Sequence, residues 1–190
     1  MTGAAPGADG RLRCPWALSA PEYVDYHDQE WGRPVAGDDA MFERLTLEAF
    51  QSGLSWLVIL RKRPAFRAAF DGFRIERVAG YTDRDVDRLL GDAGIVRNRA
   101  KIEAAIANAR VAAELPGGLH AHVSSFAPAT QTAPPRTLGD VPSTSPESTA
   151  MAKELKRRGF RFVGPTTAYA LMQATGLVND HLAGCWSRRH

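Results

Sequence analysis

Residues 145–175 have the sequence SPESTAMAKELKRRGFRFVGPTTAYALMQAT, which indicates the class of fold. Ser145-Pro146-Glu147 is typical of a helix start, because serine caps the first turn and proline fits the first helical position. We expect this helix to run to Arg158, with Gly159 in the position after its end. A second helix is predicted over 166–175. The pattern is therefore a helix, a short turn containing Gly-Pro, and another helix.

Helical spacing of apolar residues continues through the rest of the chain, and no stretch alternates convincingly like a strand. Further helices are predicted over 21–29, 38–52, 55–63, 64–70, 74–79, 83–90, 98–114 and 179–186. Pro64 is expected to end the helix over 55–63. Residues 127–144 are predicted to form a surface loop, and 1–12 a disordered leader. We therefore predict an all-α fold in which 13–190 form a single domain of two helical lobes around a shared cleft.

Composition excludes several classes of protein. A hydrophobic fraction of 44% is too high for a disordered chain, and no apolar run approaches the length of a membrane span. Residues 1–10 contain no Lys or Arg and no apolar core, so they do not resemble a signal peptide, and a cytoplasmic location is the default expectation. A net charge of +3 and a pI of about 9.1 are weak evidence for a nucleic-acid partner.

Three local clusters of positive charge are stronger evidence than the net charge. Such clusters can neutralise backbone phosphates, although each is equally consistent with a solvated helix face. They consist of Lys153, Lys156, Arg157, Arg158 and Arg161; of Arg61, Lys62, Arg63 and Arg67; and of Arg97, Arg99 and Lys101.

Two pairs of cysteine and histidine lie at opposite ends of the sequence. Cys14 is followed by His27, and His181 precedes Cys185 at an i, i+4 spacing that would place both side chains on one helix face. Two thiolates and two imidazoles suit a tetrahedral Zn²⁺ ion, which would join the two ends of the chain. Four protein ligands leave no open position, so this zinc would be structural. Free buried cysteines with incidental histidines, or a disulfide, are the alternatives.

A carboxylate interrupts the apolar stripe of the helix predicted over 38–52. Met41, Leu45, Glu48 and Ser52 share the inward face of this helix. Because a buried carboxylate is costly alone, Glu48 is a rim residue, a partner of an arginine, or part of a pocket that binds hydrogen-bond donors. Aromatic residues lie near it in sequence: Trp16, Tyr23, Tyr26, Trp31 and Trp56. Such residues are common in cores, but they also suit a purine base extruded from DNA.

Six motifs spread over nearly the whole chain resemble one family. They are RCPW (13–16), YHDQEWG (26–32), LEAFQSGLSW (47–56), DAGIVR (92–97), RGFRFVGPT (158–166) and LVNDH (177–181). In this order they are similar to the 3-methyladenine DNA glycosylase I family of the helix-hairpin-helix superfamily. The resemblance implies hydrolysis of the N-glycosidic bond of 3-methyladenine in alkylated double-stranded DNA, with release of free 3-methyladenine and an abasic site left behind.

The resemblance also assigns roles to individual residues. It implies that Glu48 recognises the base, that Tyr26 and Trp56 form stacking walls, and that Trp16 and Tyr23 line the same cavity. It further implies a zinc site formed by Cys14, His27, His181 and Cys185.

The hairpin of the superfamily corresponds to 162–166, where Gly164 and Thr166 would face a DNA phosphate at a helix N-terminus. Most members carry a catalytic aspartate where Asn179 stands, and Pro165 and Thr166 occupy positions where a lysine would attack C1′. No lyase step is therefore expected, and a monofunctional glycosylase is predicted. Ala170 replaces a small hydroxyl residue of the family pocket, which puts one polar contact to the base in doubt. A broader alkylpurine glycosylase and a non-enzymatic lesion-binding protein are the alternatives.

Leu54 is the candidate for the apolar wedge that fills the gap left by an extruded base. It lies in Ser52-Gly53-Leu54-Ser55, between the helix that carries Glu48 and the segment that carries Trp56. Gly53 would let this loop approach DNA closely. The alternative is that Leu54 packs beneath Trp56. A monomer that makes no membrane contact is expected.

Overall fold

The computed structural model of this chain describes residues 3–130 and 133–189, which are almost entirely helical. Two short strands come first, β1 (Ala5–Pro6) pairing antiparallel with β2 (Leu12–Arg13). The helices of the described ranges are α1 (Pro21–Gln29), α2 (Asp38–Gln51), α3 (Trp56–Ala69), α4 (Ile75–Ala79), α5 (Asp83–Gly91), α6 (Arg99–Ala113), α7 (Leu119–Ser124), α8 (Pro146–Arg157) and α9 (Pro165–Ala174). Single 3-10 turns lie at Pro15–Ser19, Asp71–Phe73, Leu138–Asp140 and Trp186–Arg189. The predicted all-α class is confirmed, and none of the helices described here is long and apolar enough to cross a membrane.

Side-chain caps fix several helix starts. Thr82 forms a capping box at the start of α5, and the Asn98 side chain accepts a hydrogen bond of 3.1 Å from a first-turn N–H of α6. Ser145 accepts an equivalent bond of 3.1 Å at the start of α8. Gly159 follows α8 with a φ of 103°, a conformation that side chains disfavour. These local signals explain why the ends of these helices could be predicted from the sequence.

The prediction that Pro64 ends a helix is wrong, because α3 runs through it from Trp56 to Ala69. A proline inside a helix removes one backbone hydrogen bond and costs about 3 kcal/mol. The continuous helix, however, buries Ile59, Phe66 and Ala69. Full burial of one large apolar side chain contributes about 1.5–3 kcal/mol, so the buried face as a whole outweighs the proline.

The two ends of the chain also differ from the predictions. We expected residues 1–12 to be a disordered leader, whereas β1 and the first residue of β2 form an ordered ladder there; Met1 and Thr2 lie outside the described residues. The predicted helix over 179–186 is wrong, because 179–185 form bends and turns and a 3-10 turn begins at Trp186. This segment is held by side-chain contacts of His181 and Cys185, described below, and not by helical hydrogen bonds.

The central helix α2 is buried along nearly its whole length. It packs against α3, α6, α7 and α9, so that its side chains enter the core in several directions. The predicted inward stripe is confirmed for Met41, Leu45 and Glu48, which are buried. It is wrong for Ser52, which is exposed and caps the C-terminus of the helix.

Candidate functional site

A cavity of about 400 Å³ opens beside α2. It is lined by Trp16, Tyr23, Tyr26, Trp31, Glu48, Gln51, Trp56, Leu138, Val141, Ala170, Gln173 and Asp180. All of the residues predicted to recognise or stack on a base are therefore among its walls. A mostly aromatic cavity with a few polar groups suits a flat ligand that carries hydrogen-bonding atoms on its edge.

The aromatic rings meet at a corner. Tyr23 and Tyr26 project from α1 at positions i and i+3, and Trp16 meets the Tyr23 ring edge-on with centroids 5.6 Å apart. The rings of Tyr26 and Trp56 lie 5.4 Å apart at an angle of 48°. A base held between two parallel rings needs a ring spacing of roughly 7 Å, twice the contact distance of carbon atoms. A flat ligand would therefore meet Tyr26 and Trp56 as adjoining walls and would not fit between them.

Glu48 lines the cavity from α2 and is only 6% exposed. Within the described ranges, no donor lies within hydrogen-bond distance of its carboxyl group. Burial raises the pKa of Glu48 to about 8, and the positive charge of Arg44, one turn earlier in α2, opposes that shift only in part. At neutral pH this carboxyl group is therefore mainly protonated. A ligand that brings N–H donors or positive charge favours its ionised form.

A buried network of ion pairs holds Arg44. Its Nη2 donates to Glu30 across 2.6 Å, and Glu30 also accepts a hydrogen bond of 2.7 Å from Arg63. Arg63 in turn donates to Glu43 across 2.7 Å. The Nη1 atom of Arg44 is buried and has no partner among the described residues. The network thus fixes a positive charge one helical turn from Glu48 without pairing directly with it.

A second carboxylate, Asp180, also lines the cavity and is 5% exposed. Its Oδ2 accepts a hydrogen bond of 2.7 Å from the hydroxyl of Tyr169 and one of 2.8 Å from the amide of Gln173, both on α9. The preceding residue, Asn179, does not line the cavity, and its side-chain oxygen accepts a hydrogen bond of 3.3 Å from the backbone N–H of His181. Sequence reasoning concentrated on Asn179 and missed its neighbour.

The predicted metal ligands Cys14, His27, His181 and Cys185 are buried together where the two chain ends meet. Their donor atoms all lie within 4.8 Å of one another. His27 Nε2 lies 3.2 Å from His181 Nδ1 and 3.4 Å from Cys185 Sγ, and Cys14 Sγ lies 3.9 Å from His181 Nδ1. Usual zinc bond lengths place two tetrahedral nitrogens about 3.3 Å apart and a sulfur about 3.6 Å from a nitrogen. The donor set therefore fits such an ion and could hold a metal.

Both histidines are oriented through the ring nitrogen that faces away from this cluster. His27 Nδ1 lies 2.8 Å from Asp28 Oδ1, and Asp28 also accepts a hydrogen bond of 2.7 Å from Arg13. His181 Nε2 lies 3.1 Å from the backbone carbonyl oxygen of Trp31. Outer contacts of this kind fix the tautomer and orientation of metal-binding histidines.

The i, i+4 spacing brings His181 and Cys185 together on a tight turn, and the prediction of a shared helix face is wrong. Cys185 Sγ lies 3.6 Å from His181 Nδ1, and the Cys185 N–H donates to the Leu182 carbonyl across 2.8 Å. The Leu182 N–H donates to Cys14 Sγ across 3.4 Å. The two cysteines are free, in contrast to the disulfide alternative. A hydrogen bond between the two thiols raises the pKa of Cys14 and lowers the pKa of Cys185, so Cys185 is the member of the pair that favours the thiolate.

Trp16 and Trp31 line the cavity and also pack against the cluster of two cysteines and two histidines. The Trp31 ring meets His181 edge-on at a centroid distance of 4.6 Å and Trp16 at 5.1 Å. Gly32 has a φ of 78°, and a Cβ there would lie 2.9 Å from His181 Nε2, so glycine allows the chain to pass this imidazole. The cluster therefore supports one wall of the cavity.

The three residues predicted to contact DNA are exposed and lie in two places. Leu54 is 40% exposed between α2 and α3, which does not agree with the alternative that it packs beneath Trp56. Gly53 has a φ of 81°, so the tight turn itself requires glycine. Gly164 is the N-cap residue of α9, and Thr166 lies in its first turn.

Internal contacts engage most side chains of two basic clusters. Arg61 pairs with Glu22, Arg63 and Arg67 with Glu43, Arg99 with Asp87, and Lys62 with two backbone carbonyls. Lys101 is buried, and its Nζ donates to the carbonyl oxygens of Phe50 at 2.9 Å and Ser52 at 2.5 Å. These side chains stabilise the fold, and Lys101 also holds the chain just before Leu54.

The third basic cluster borders a groove of about 560 Å³ at the start of α9. Lys153, Lys156 and Arg161 line this groove together with Phe162, which is 42% exposed. Arg157 and Arg158 instead pair with Glu154. Within the described residues, Lys153, Lys156 and Arg161 have no acidic partner, and they lie beside Gly164, where a phosphate group would meet both cations and a helix N-terminus.

Several lining residues escaped sequence reasoning for different reasons. Gln51 follows Glu48 at i+3, so helical spacing would have found it. Gln173 lies one turn after Ala170 on α9, a position that the pattern did not distinguish from core. Leu138 and Val141 belong to the loop predicted over 127–144, where no local signal indicates contact with a distant helix.

Comparison with known proteins gives consistent results. A model of the methyladenine glycosylase family matches residues 16–189. DNA-3-methyladenine glycosylase 1 of Escherichia coli (strain K12) is 44% identical over 177 residues, which cover 91% of this chain and 95% of that protein. DNA-3-methyladenine glycosylase of Haemophilus influenzae is 42% identical, with coverage of 91% and 96%. The fold is also similar to that of 3-methyladenine DNA glycosylase I from Staphylococcus aureus, solved to explain its recognition of 3-methyladenine, with a TM-score of 0.88 at 34% identity over 93% of this chain and 96% of that chain.

Proposed function

The chain belongs to the methyladenine glycosylase family, and from this premise we propose that it excises 3-methyladenine from alkylated DNA. The enzyme hydrolyses the N-glycosidic bond, releases the free base and leaves an abasic site. The observation that carries the proposal is the aromatic cavity beside α2, in which the carboxyl group of Glu48 is buried with no hydrogen-bond donor among the residues that the structure describes. A base with an amine and a positive charge supplies what this carboxyl group lacks.

Glu48 recognises the base through charge and hydrogen bonding. 3-Methyladenine in DNA is cationic, so its glycosidic bond is already labile and the base leaves in neutral form without being protonated. Because burial raises the pKa of Glu48 to about 8, its carboxyl group holds a proton at neutral pH, and the cationic base favours release of that proton. The carboxylate then accepts a hydrogen bond from the N6 amine and offsets the positive charge. Guanine presents an acceptor, O6, at this position and therefore does not pair with the carboxylate.

The aromatic walls supply the remaining binding energy. Tyr26 and Trp56 contact the base at the corner of the cavity, and Trp16 and Tyr23 extend this surface. Stacking of this kind is tolerant of sequence, so the base edge determines selectivity. Ala170 lines the cavity with a methyl group, which offers the base no hydrogen bond. For this reason a broader range of alkylated purines is the second candidate function.

We propose that α8, the turn at 158–164 and α9 form a helix-hairpin-helix element that binds the DNA backbone. The first N–H groups of α9 and the dipole of this helix favour a phosphate next to Gly164 and Thr166. Lys153 and Lys156 border the same groove and add positive charge. Leu54, exposed on the turn after α2, is then available to fill the gap left by the extruded nucleotide.

We further propose that the cluster of two cysteines and two histidines binds one structural Zn²⁺. Support comes from the spacing of the four donor atoms and from the contacts that orient both imidazoles. When bound, the ion would hold the N-terminal segment against the C-terminal segment. A set of four protein ligands leaves no position for water, so the reaction itself depends on other residues. A cytoplasmic location and a monomeric state stay predictions.

One assay separates these functions. Methylated duplex DNA is incubated with the purified protein, and the released bases are identified by chromatography. Release of 3-methyladenine alone supports the proposed function, whereas release of several methylated purines supports the broader enzyme. Tight binding of methylated DNA without release of any base would instead identify a lesion-binding protein.

A further inference from the structure

Asp180 is the second carboxylate of the cavity, and its setting differs from that of Glu48. Tyr169 and Gln173 both donate to Oδ2, at 2.7 Å and 2.8 Å, which suits a carboxylate because it only accepts hydrogen bonds. No other hydrogen bond engages Asp180 within the part of the chain described, so Oδ1 has no protein donor. Some buried polar atoms are fully enclosed by protein and lack a partner, but Asp180 Oδ1 is not one of them. Since the whole residue is only 5% exposed and lines the cavity, its remaining access is toward the cavity.

The side-chain amide of the neighbouring residue, Asn179, does not face the cavity. Asn179 does not line the cavity, and its side-chain oxygen lies near the backbone N–H of His181 at 3.3 Å and near Arg188 Nη1 at 3.4 Å. Arg188 also donates to the Asn179 carbonyl across 2.8 Å. Of these two adjacent polar residues, only Asp180 therefore presents its side chain to a ligand in the cavity.

We propose that Asp180 is a catalytic residue that stabilises the positive charge formed on the sugar of the extruded nucleotide, with Tyr169 and Gln173 as the residues that position it. This inference rests on the proposed glycosylase function. Glu48 and Asp180 belong to different elements of the cavity wall, one in α2 and one after α9. A nucleotide whose base edge faces Glu48 can reach Asp180 only with another part, and the sugar is the part on which positive charge develops.

The chemical step is balanced without a further reactant. The bond between the base nitrogen and C1′ breaks, and its electron pair passes to the cationic base, which leaves neutral. The positive charge moves to C1′ and the ring oxygen of the sugar. Water then forms a bond with C1′, and its proton passes to the solvent. A fixed carboxylate close to the sugar stabilises the charge during this step, when the base no longer carries it.

The first test measures single-turnover excision from methylated duplex DNA for Asp180→Asn. Loss of one preorganised charge is expected to slow excision on the order of 100-fold. Affinity for free 3-methyladenine should be unchanged, because Glu48 and the aromatic walls remain. Tyr169→Phe, which removes one donor to Asp180, should slow excision less. Glu103→Gln, on the exposed face of α6, is the matched control for the change in net charge and should excise like the wild type.

The second test uses two abasic-site analogues in duplex DNA, a cationic pyrrolidine and a neutral tetrahydrofuran. The wild type should bind the cationic analogue more tightly, and Asp180→Asn should lose that preference while retaining its metal content and melting temperature. A purely structural role of Asp180 would lower both affinities and the melting temperature together, and would overturn the proposal. Excision by Asp180→Asn at the wild-type rate would also overturn it. If the wild type released no base at all, the proposed function would fail, and the ratio of the two affinities would still test Asp180.

Discussion

The imidazole of His181 lies 3.1 Å from the carbonyl oxygen of Trp31, across 150 positions of sequence. The same tryptophan ring lines the cavity and meets the His181 ring edge-on. A contact of one cluster residue with the backbone of a cavity residue means that the cysteine–histidine cluster and the cavity share a wall. Changes to the cluster should therefore alter the binding of a ligand in the cavity.

Replacement of Cys14 tests this connection. Cys14→Ala should abolish metal binding and lower the free energy of unfolding by several kcal/mol, because the proposed ion would join the two ends of the chain. It should also weaken binding of free 3-methyladenine, since the wall formed by Trp16 and Trp31 loses its support. Metal content by elemental analysis, thermal unfolding and calorimetry check these results. His122→Gln, a histidine outside the cluster, is the control, and a metal-free Cys14→Ala protein with wild-type stability would contradict the hypothesis.

Replacement of Glu48 tests base recognition. Glu48→Gln keeps the shape of the side chain but removes its charge and half of its acceptor capacity. Binding of free 3-methyladenine and the rate of excision should both decrease by an amount on the order of 1–3 kcal/mol. Calorimetry and single-turnover assays measure the two effects. Unchanged affinity and rate would show that Glu48 is not the residue that recognises the base.

The pH dependence of excision follows from the raised pKa of Glu48. Its carboxyl group must lose a proton to pair with the cationic base, and the pKa in the free enzyme is about 8. Below that pH, kcat/KM should rise about tenfold per pH unit, and it should level off above it. Glu48→Gln should have no such slope in the same buffers at constant ionic strength. A flat wild-type profile between pH 6 and pH 8 would mean that Glu48 is already ionised.

The raised pKa of Glu48 also predicts that the stability of the protein falls as the pH rises, whereas excision becomes faster. The pKa of Glu48 is raised above its ordinary value of 4.5, so the folded state holds a proton that the unfolded state releases. The contribution of Glu48 is therefore most favourable below about pH 4.5 and is lost as the pH rises through about 8. Thermal unfolding of wild type and Glu48→Gln across this range should show the variant gaining relative stability. A constant difference between the two proteins would contradict the assignment.

Replacement of Leu54 tests the wedge. Its 40% exposure predicts that Leu54→Ala loses less than about 0.5 kcal/mol of stability, whereas a core leucine would lose roughly 2–5 kcal/mol. Excision from duplex DNA should slow, while affinity for free 3-methyladenine stays the same. Leu12→Ala removes a side chain that is 43% exposed on β2 and serves as control. Lost stability with normal excision per folded molecule would exclude a wedge.

Local chemistry explains which parts of the fold were predictable. Thr82, Asn98 and Ser145 mark helix starts because the atoms that cap a helix lie within the same few residues. Pro64 misled the prediction because its local cost is outweighed by burial of distant partners. The segment over 179–185 was misassigned because cluster contacts, and not backbone spacing, determine its shape.

The residues of the candidate site also divide into those that the local sequence indicates and those that depend on distant contacts. Glu48 was predicted because its helix supplies the apolar stripe that makes a carboxylate conspicuous. Asp180 was missed because its place in the cavity depends on Tyr169, on Gln173 and on the aromatic walls contributed by α1 and α3. Leu138 and Val141 were missed because an apolar residue in a loop has no pattern that indicates a distant partner.

The meeting of the two chain ends also determines when the site can form during synthesis. Trp31 leaves the ribosome well before His181 and Cys185, which follow it in the chain by about 150 positions. Until they emerge, the nascent chain can build α2 and its packing partners but lacks the support of one cavity wall. We therefore expect a nascent chain that still lacks His181 and Cys185 to bind a ligand in the cavity more weakly than a chain that contains them.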